Sequence, residues 1–122
     1  MRYKNIFIQM KKLFLDDVRD SIDCAEYMHR RIGNVKIYHE NWDIVRNYKQ
    51  FISYIKNNEL PEIISFDHDL GTKKDGKNCA EFLVNYCIDN KKELPKCFIH
   101  SWNPIGIKKI ENCLNDYLKI KS

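Results

Sequence analysis

Glu62-Ile63-Ile64-Ser65-Phe66-Asp67-His68-Asp69-Leu70-Gly71 decides how this chain folds. An apolar run breaks into an Asp-His-Asp cluster and then a glycine. Upstream, Leu13-Phe14-Leu15 stops just as abruptly at Asp16-Asp17. Short apolar runs bounded by turn residues read as buried strands. Each of these two delivers acids at its C-terminal end, and in an open parallel sheet that edge is where ligands bind. Carboxylates converging there repel one another unless a cation, a shared proton or a basic ligand offsets them. A divalent cation is the simplest offset.

Working outward, the spacing predicts strands over 12–17, 35–38, 62–67 and 96–101. The stretch 35–38 alternates Val, Lys, Ile and Tyr, as an outer strand does. Helices are expected over 21–32, 42–57, 77–90 and from 104 to about 119. Their caps are Asp20 or Ser21, Asn41, Asp75 and Asn103, with Gly33 ending the first and Pro104 opening the last. Trp42, Val45, Ile52 and Ile55 would line the inner face of the second helix. Strands alternating with helices make an α/β three-layer fold with a parallel sheet of about four strands. Short right-handed crossovers favour the order 2-1-3-4. Asp16/Asp17, Asp67/His68/Asp69 and His100/Ser101 then meet at one edge, from segments far apart in the chain.

The 122 residues are the length of one domain, spanning 1–122, with no repeats or linkers. The net charge of +4 is carried by scattered lysines rather than a dense basic block, so specific duplex nucleic-acid binding is not expected. The five cysteines, Cys24, Cys79, Cys87, Cys97 and Cys113, form no Cys-x-x-Cys pair and read as free thiols in a reducing compartment. No apolar run approaches a membrane span, and the first twelve residues lack the features of a signal peptide. A cytoplasmic location is the expectation.

At the strand ends, Asp16 and Asp17 either cap a turn or hold a hard cation such as magnesium or manganese. Asp67 is a ligand or a nucleophile. Asp69 is either a further ligand or a loop acid capping the turn at Gly71. His68 and His100 are each either satisfied core histidines or proton-handling groups, and His100 is also a candidate ligand. Ser101 and Asn103 precede a helix and either cap it or contact phosphate. Arg19 either clamps phosphate or makes a salt bridge. His29 and His39 read as surface or packing residues, and Trp102 as packing that a base could also stack on.

The layout resembles a response-regulator receiver domain, a flavodoxin-like fold. Asp16-Asp17, Asp67 and Ser101 match the receiver's acid pair, phosphoacceptor and hydroxyl in order, and Asp69 the position that offers a carbonyl to magnesium. A fifth strand and the receiver's lysine are missing. Leu15 to Arg19 (Leu-Asp-Asp-x-Arg), Ser65 to Gly71 and His100 to Pro104 (His-Ser-x-Asn-Pro) resemble the marks of cyclic-phosphate processing receiver-like domains. That resemblance implies a metal-dependent phosphoesterase acting on the cyclic phosphate of a nucleotide or an RNA end. Asp16, Asp17, Asp67 and Asp69 would hold Mg2+ or Mn2+. Asp67, His68 and His100 would be catalytic, and Arg19, Ser101 and Asn103 would bind the small cyclic-phosphate ligand. The alternative is a non-enzymatic receiver-like module that binds metal and nucleotide, or accepts a phosphoryl group on Asp67, and docks on a partner.

Overall fold

The computed structural model describes residues 10–33 and 36–121. Four strands, β1 (Lys12–Leu15), β2 (Asp43–Val45), β3 (Ile63–Phe66) and β4 (Lys96–Ile99), form one parallel sheet in the order β2-β1-β3-β4. The order is the expected one. Each long strand ends one or two residues sooner than its apolar run suggests, because the acids and His100 stand just beyond the ladder.

A 3-10 turn, Ser21–Cys24, leads into α1 (Ala25–Ile32), which ends at Gly33. The remaining helices are α2 (Lys36–His39), α3 (Tyr48–Asn57), α4 (Gly76–Asp89) and α5 (Pro104–Lys121). On one face of the sheet Leu13, Leu15, Ile64 and Phe66 are buried against Phe51 and Ile55 of α3, Ala80, Leu83 and Val84 of α4, and Ile110 of α5. On the other, Phe14 packs with Ala25 and Met28 of α1 and Tyr38 of α2. Each fully buried aliphatic or phenyl side chain contributes about 1.5–3 kcal/mol through removal from water. This is the three-layer, flavodoxin-like arrangement.

Two expectations need correcting. The stretch 35–38 is not the second strand: Lys36–His39 forms a helical turn, and residue 35 lies outside the described residues. Four residues are too few to separate a period of two from one turn of helix. Trp42 holds this turn, stacking on Tyr38 at 5.4 Å while its Nε1–H donates to the Ile37 carbonyl at 2.7 Å. The helix expected over 42–57 starts later, because Asp43–Val45 pairs with β1 as the outer strand. Asn47, extended at φ −155°, caps α3 by accepting from the Gln50 N–H at 2.8 Å. The inner face of α3 is therefore Phe51 and Ile55. Trp42 joins the opposite core, and Val45 is buried as a strand residue.

The five cysteines are free, and burial pushes Cys79 and Cys97 up to about 12, so both remain thiols at neutral pH. Among the described residues no helix is long and apolar enough to cross a membrane.

Candidate functional site

The site is a continuation of the sheet register. Leu15 is level with Phe66, and Phe66 with Ile99, so the next residues, Asp16, Asp67 and His100, stand in one row beyond the strands. Backbone bonds extend the ladder through them: Asp67 N–H donates to Leu15 at 2.9 Å and His100 N–H to Phe66 at 2.9 Å. The carboxylates of Asp16, Asp17 and Asp67 can each place an oxygen within 4.8 Å of the others. Gly71, at φ +70°, lets the loop after β3 turn back toward them, and a Cβ there would press on Asp17 Oδ2 at 3.3 Å.

The three acids are not equivalent. Asp16 is fully buried, yet its oxygens are saturated. Oδ1 accepts from the Val18 N–H at 3.0 Å and the Arg19 N–H at 2.8 Å, and Oδ2 from Arg19 Nε at 2.9 Å, with His100 Nε2 at 3.1 Å. Burial works against its charge, but these donors outweigh it and hold the carboxyl well below the usual range. Asp67, 6% exposed, accepts among the described residues only from the His68 N–H at 2.8 Å, with Arg19 Nη2 at 3.8 Å. Burial, then the neighbouring Asp16 charge, pushes its carboxyl up to about 6. The unbalanced negative charge of the cluster is carried by Asp67.

His100 stands behind the trio rather than in it. It is fully buried and stacked on Phe14 at 4.2 Å, and a run of short polar contacts passes through it. Tyr38 Oη lies 2.7 Å from Ser65 Oγ, Ser65 Oγ lies 2.7 Å from His100 Nδ1, and His100 Nε2 meets Asp16. One proton assignment satisfies every group: Tyr38 donates to Ser65, Ser65 to Nδ1, and a neutral imidazole donates from Nε2 to Asp16. Burial lowers the imidazole below its ordinary range, in keeping with that neutral form. His100, expected as a general acid or ligand, thus meets the trio through Asp16. Cys24 joins Asp16 and His100 in a second, fully buried group, its thiol pushed up to about 11 by burial.

His68 is also buried, with Nδ1 2.9 Å from Asp69 Oδ1. Its Nε2, also buried, lies 3.3 Å from Asp75 Oδ2 without hydrogen-bond geometry and has no hydrogen-bond partner among the described residues. The ring lies on Gly106 in the first turn of α5, where a Cβ would run into it. Asp69 stays outside the trio. Its exposed carboxylate is held by His68 and by Asn103 Nδ2 at 3.3 Å, and the His68 bond lowers its pKa.

Asn103 caps α5: Oδ1 accepts from the Ile105 and Gly106 N–H groups, each at 3.1 Å. Ser101, 1% exposed, accepts from the Asn103 N–H at 3.1 Å, so its hydroxyl supports the turn. Arg19 makes the salt bridge to Asp16, and Arg46 braces its loop through the Arg19 carbonyl at 2.8 Å and Asp20 at 2.7 Å.

Sequence reading missed Ser65, Tyr38, Cys24 and Gly106. Ser65 carried a signal, since a hydroxyl inside an apolar strand needs a buried partner. The others depend on how helices pack and left none.

The sequence profile of the family described as cyclic-phosphate processing receiver domain matches residues 11–116. Among solved structures, the chain is similar to a fusion protein carrying residues 181–211 of the yeast Spc42 trimeric coiled coil, at a TM-score of 0.54 and 20% identity. That match covers 87% of this chain and 64% of the other, so the chain spans less than two thirds of that fusion's length; it speaks to the fold alone. A second similar structure is the N-terminal domain of a response regulator/sensory box/GGDEF three-domain protein from Carboxydothermus hydrogenoformans. Its TM-score is 0.46 at 17% identity, over 92% of this chain and 99% of that one. No curated protein matches the chain significantly.

Proposed function

The chain belongs to the cyclic-phosphate processing receiver domain family, and from that membership we propose a metal-dependent phosphoesterase that opens the cyclic phosphate of a nucleotide or an RNA end. The observation that carries the reading is the trio itself. Asp16, Asp17 and Asp67 bring oxygens within 4.8 Å of one another, and Asp67 is left with a carboxyl raised to about 6. Hard oxygen donors with uncompensated negative charge suit Mg2+ or Mn2+.

The donor set fits such an ion with one adjustment. All four lone-pair positions of Asp16 are filled, so a cation taking Asp16 displaces the Arg19 Nε–H. Arg19 is the cluster's resident counter-charge, and on release its guanidinium is free to grip a phosphate. When bound, the ion supplies Lewis acidity to the phosphoryl oxygens and the attacking water.

Ring opening adds water to phosphorus, breaks one P–O ester bond and sends a proton to the leaving oxygen. We assign that transfer to His68, whose Nδ1 lies 2.9 Å from Asp69; its Nε2 is buried 3.3 Å from Asp75 Oδ2, so the ring has to turn out of that contact to reach the leaving oxygen. Asn103 Nδ2, now on Asp69, and the Arg19 fork supply donors for phosphate oxygens. Tyr38, Ser65 and His100 keep Asp16 charged and oriented from behind.

The full burial of His100 favours a second reading, because it leaves one proton-handling group fewer at the trio. In that reading the domain binds metal and nucleotide, or takes a phosphoryl group on Asp67, without turnover. One experiment separates the two. The protein is incubated with 2′,3′- and 3′,5′-cyclic nucleotides, with and without manganese, and the products are resolved by chromatography. Opening of at least one ring, abolished in Asp67→Asn, is expected, with no lasting mass gain from acetyl phosphate and magnesium. A stable phosphoryl adduct on wild type alone, with no ring opened, establishes the second reading.

A further inference from the structure

Two of the three loops that carry the site also carry much of the exposed apolar surface among the described residues. Val18 and Ile22 follow β1, and Trp102 and Ile105 follow β4, with Trp102 69% exposed. An indole in water on a mobile loop would need no explanation, but this one is held on a fixed turn. The carbonyl before it, Ser101 O, accepts from Tyr27 Oη at 3.2 Å and Arg31 Nη1 at 3.4 Å. The N–H after it, on Asn103, donates to Ser101 Oγ at 3.1 Å.

The indole's neighbours are as telling as its anchorage. Tyr27 lies 5.1 Å away, tilted by 38°, and the Arg19 guanidinium carbon is 6.0 Å from the ring centre. The same guanidinium reaches to 3.8 Å from Asp67. One side chain therefore separates the aromatic surface from the carboxylates, and a phosphate gripped by Arg19 has a flat apolar face beside it.

We propose that Trp102 is the stacking platform for the base of a nucleoside cyclic phosphate whose phosphate lies at Arg19 and the trio. The inference rests on the phosphate placement given under Proposed function and deepens it by giving the ligand's base its own binding surface. Stacking of this kind accepts any base, because each presents a π-face to the indole.

Two probes test it: 2′,3′-cyclic AMP and ribose 2,3-cyclic phosphate, which lacks the base, each with manganese. Trp102→Ala is expected to lower the ratio of kcat/KM for cyclic AMP over the baseless probe by about 10-fold, through KM, with Trp102→Phe recovering most of it. Cyclic AMP is expected to quench tryptophan fluorescence in wild type but not in Trp102→Phe, which retains Trp42 as its only tryptophan. An unchanged selectivity ratio alongside turnover overturns the platform and leaves the phosphoesterase standing. Absence of the quench, or a quench that survives in Trp102→Phe, overturns the platform as well. If neither probe is turned over, a Trp102-dependent quench in wild type together with a Kd for cyclic AMP, measured by isothermal titration calorimetry, that weakens about 10-fold in Trp102→Ala upholds the platform while the phosphoesterase fails.

Discussion

Asp16 and Asp67 are adjacent in one row, have the same side chain, and titrate in opposite directions. The repulsion foreseen from the acid-rich strand ends is real but unevenly shared. Asp16 escapes it through four donors, and Asp67 bears it. In the folded chain Asp67 keeps its proton to about pH 6, whereas an unfolded aspartate releases it near 4. Between those values the folded state binds more protons than the unfolded one, so this residue's contribution falls as pH rises through the window and levels off above it. The cost amounts to roughly 3 kcal/mol at neutral pH. Asp16 behaves oppositely, giving stability above about pH 4 that is lost on further acidification. Asp67→Asn is therefore expected to melt higher than metal-free wild type at pH 7, with the gap closing between pH 6 and 4. Asp16→Asn should melt lower at pH 7. Melting curves across that range check both, and equal responses from the two variants would refute the asymmetry.

The elements show where sequence reading succeeded and where it stopped. β1, β3 and β4 were legible because each holds a short, mostly apolar run ended by polar residues, the mark of a parallel strand packed under helices. β2 and α2 were not. Both are too short for periodicity to decide, and their identities come from tertiary pairing: Ile44 with Phe14, and Tyr38 Oη with Ser65. The same limit explains the site. Asp16, Asp17 and Asp67 could be seen converging from their strand ends, whereas the polar run behind them joins α2, β3 and β4. That run makes a graded prediction. Tyr38→Phe deletes a terminal donor and should cost about 1 kcal/mol. Ser65→Ala strands both Tyr38 Oη and His100 Nδ1 in a dry core and should cost more, on the order of 2–6 kcal/mol, since each orphaned group adds about 1–3. Urea melts of the two variants give the comparison, and an equal or reversed order would break the proposed chain of donors.

At the scale of the whole molecule, the sheet order brings together residues from both ends of the domain, which makes ion binding a property of the entire fold. A cation bound only by the folded state raises the melting temperature with its concentration. Manganese at millimolar concentration is expected to do so in wild type, and far less in Asp67→Asn. An identical shift in both proteins would mean that the ion binds elsewhere. The row of Asp16, Asp67 and His100 has a further meaning while the chain is being made. His100 is synthesised 84 residues after Asp16. At about 5–20 residues per second the ribosome takes roughly 4–17 s to cover that interval. Throughout it the nascent chain has a first strand whose terminal carboxylate lacks its imidazole and, once Phe66 has been added, a third strand whose outer edge is bare. A strand edge left bare in this way offers unpaired N–H and C=O groups to other chains, and in this sheet β4 is the strand that covers it.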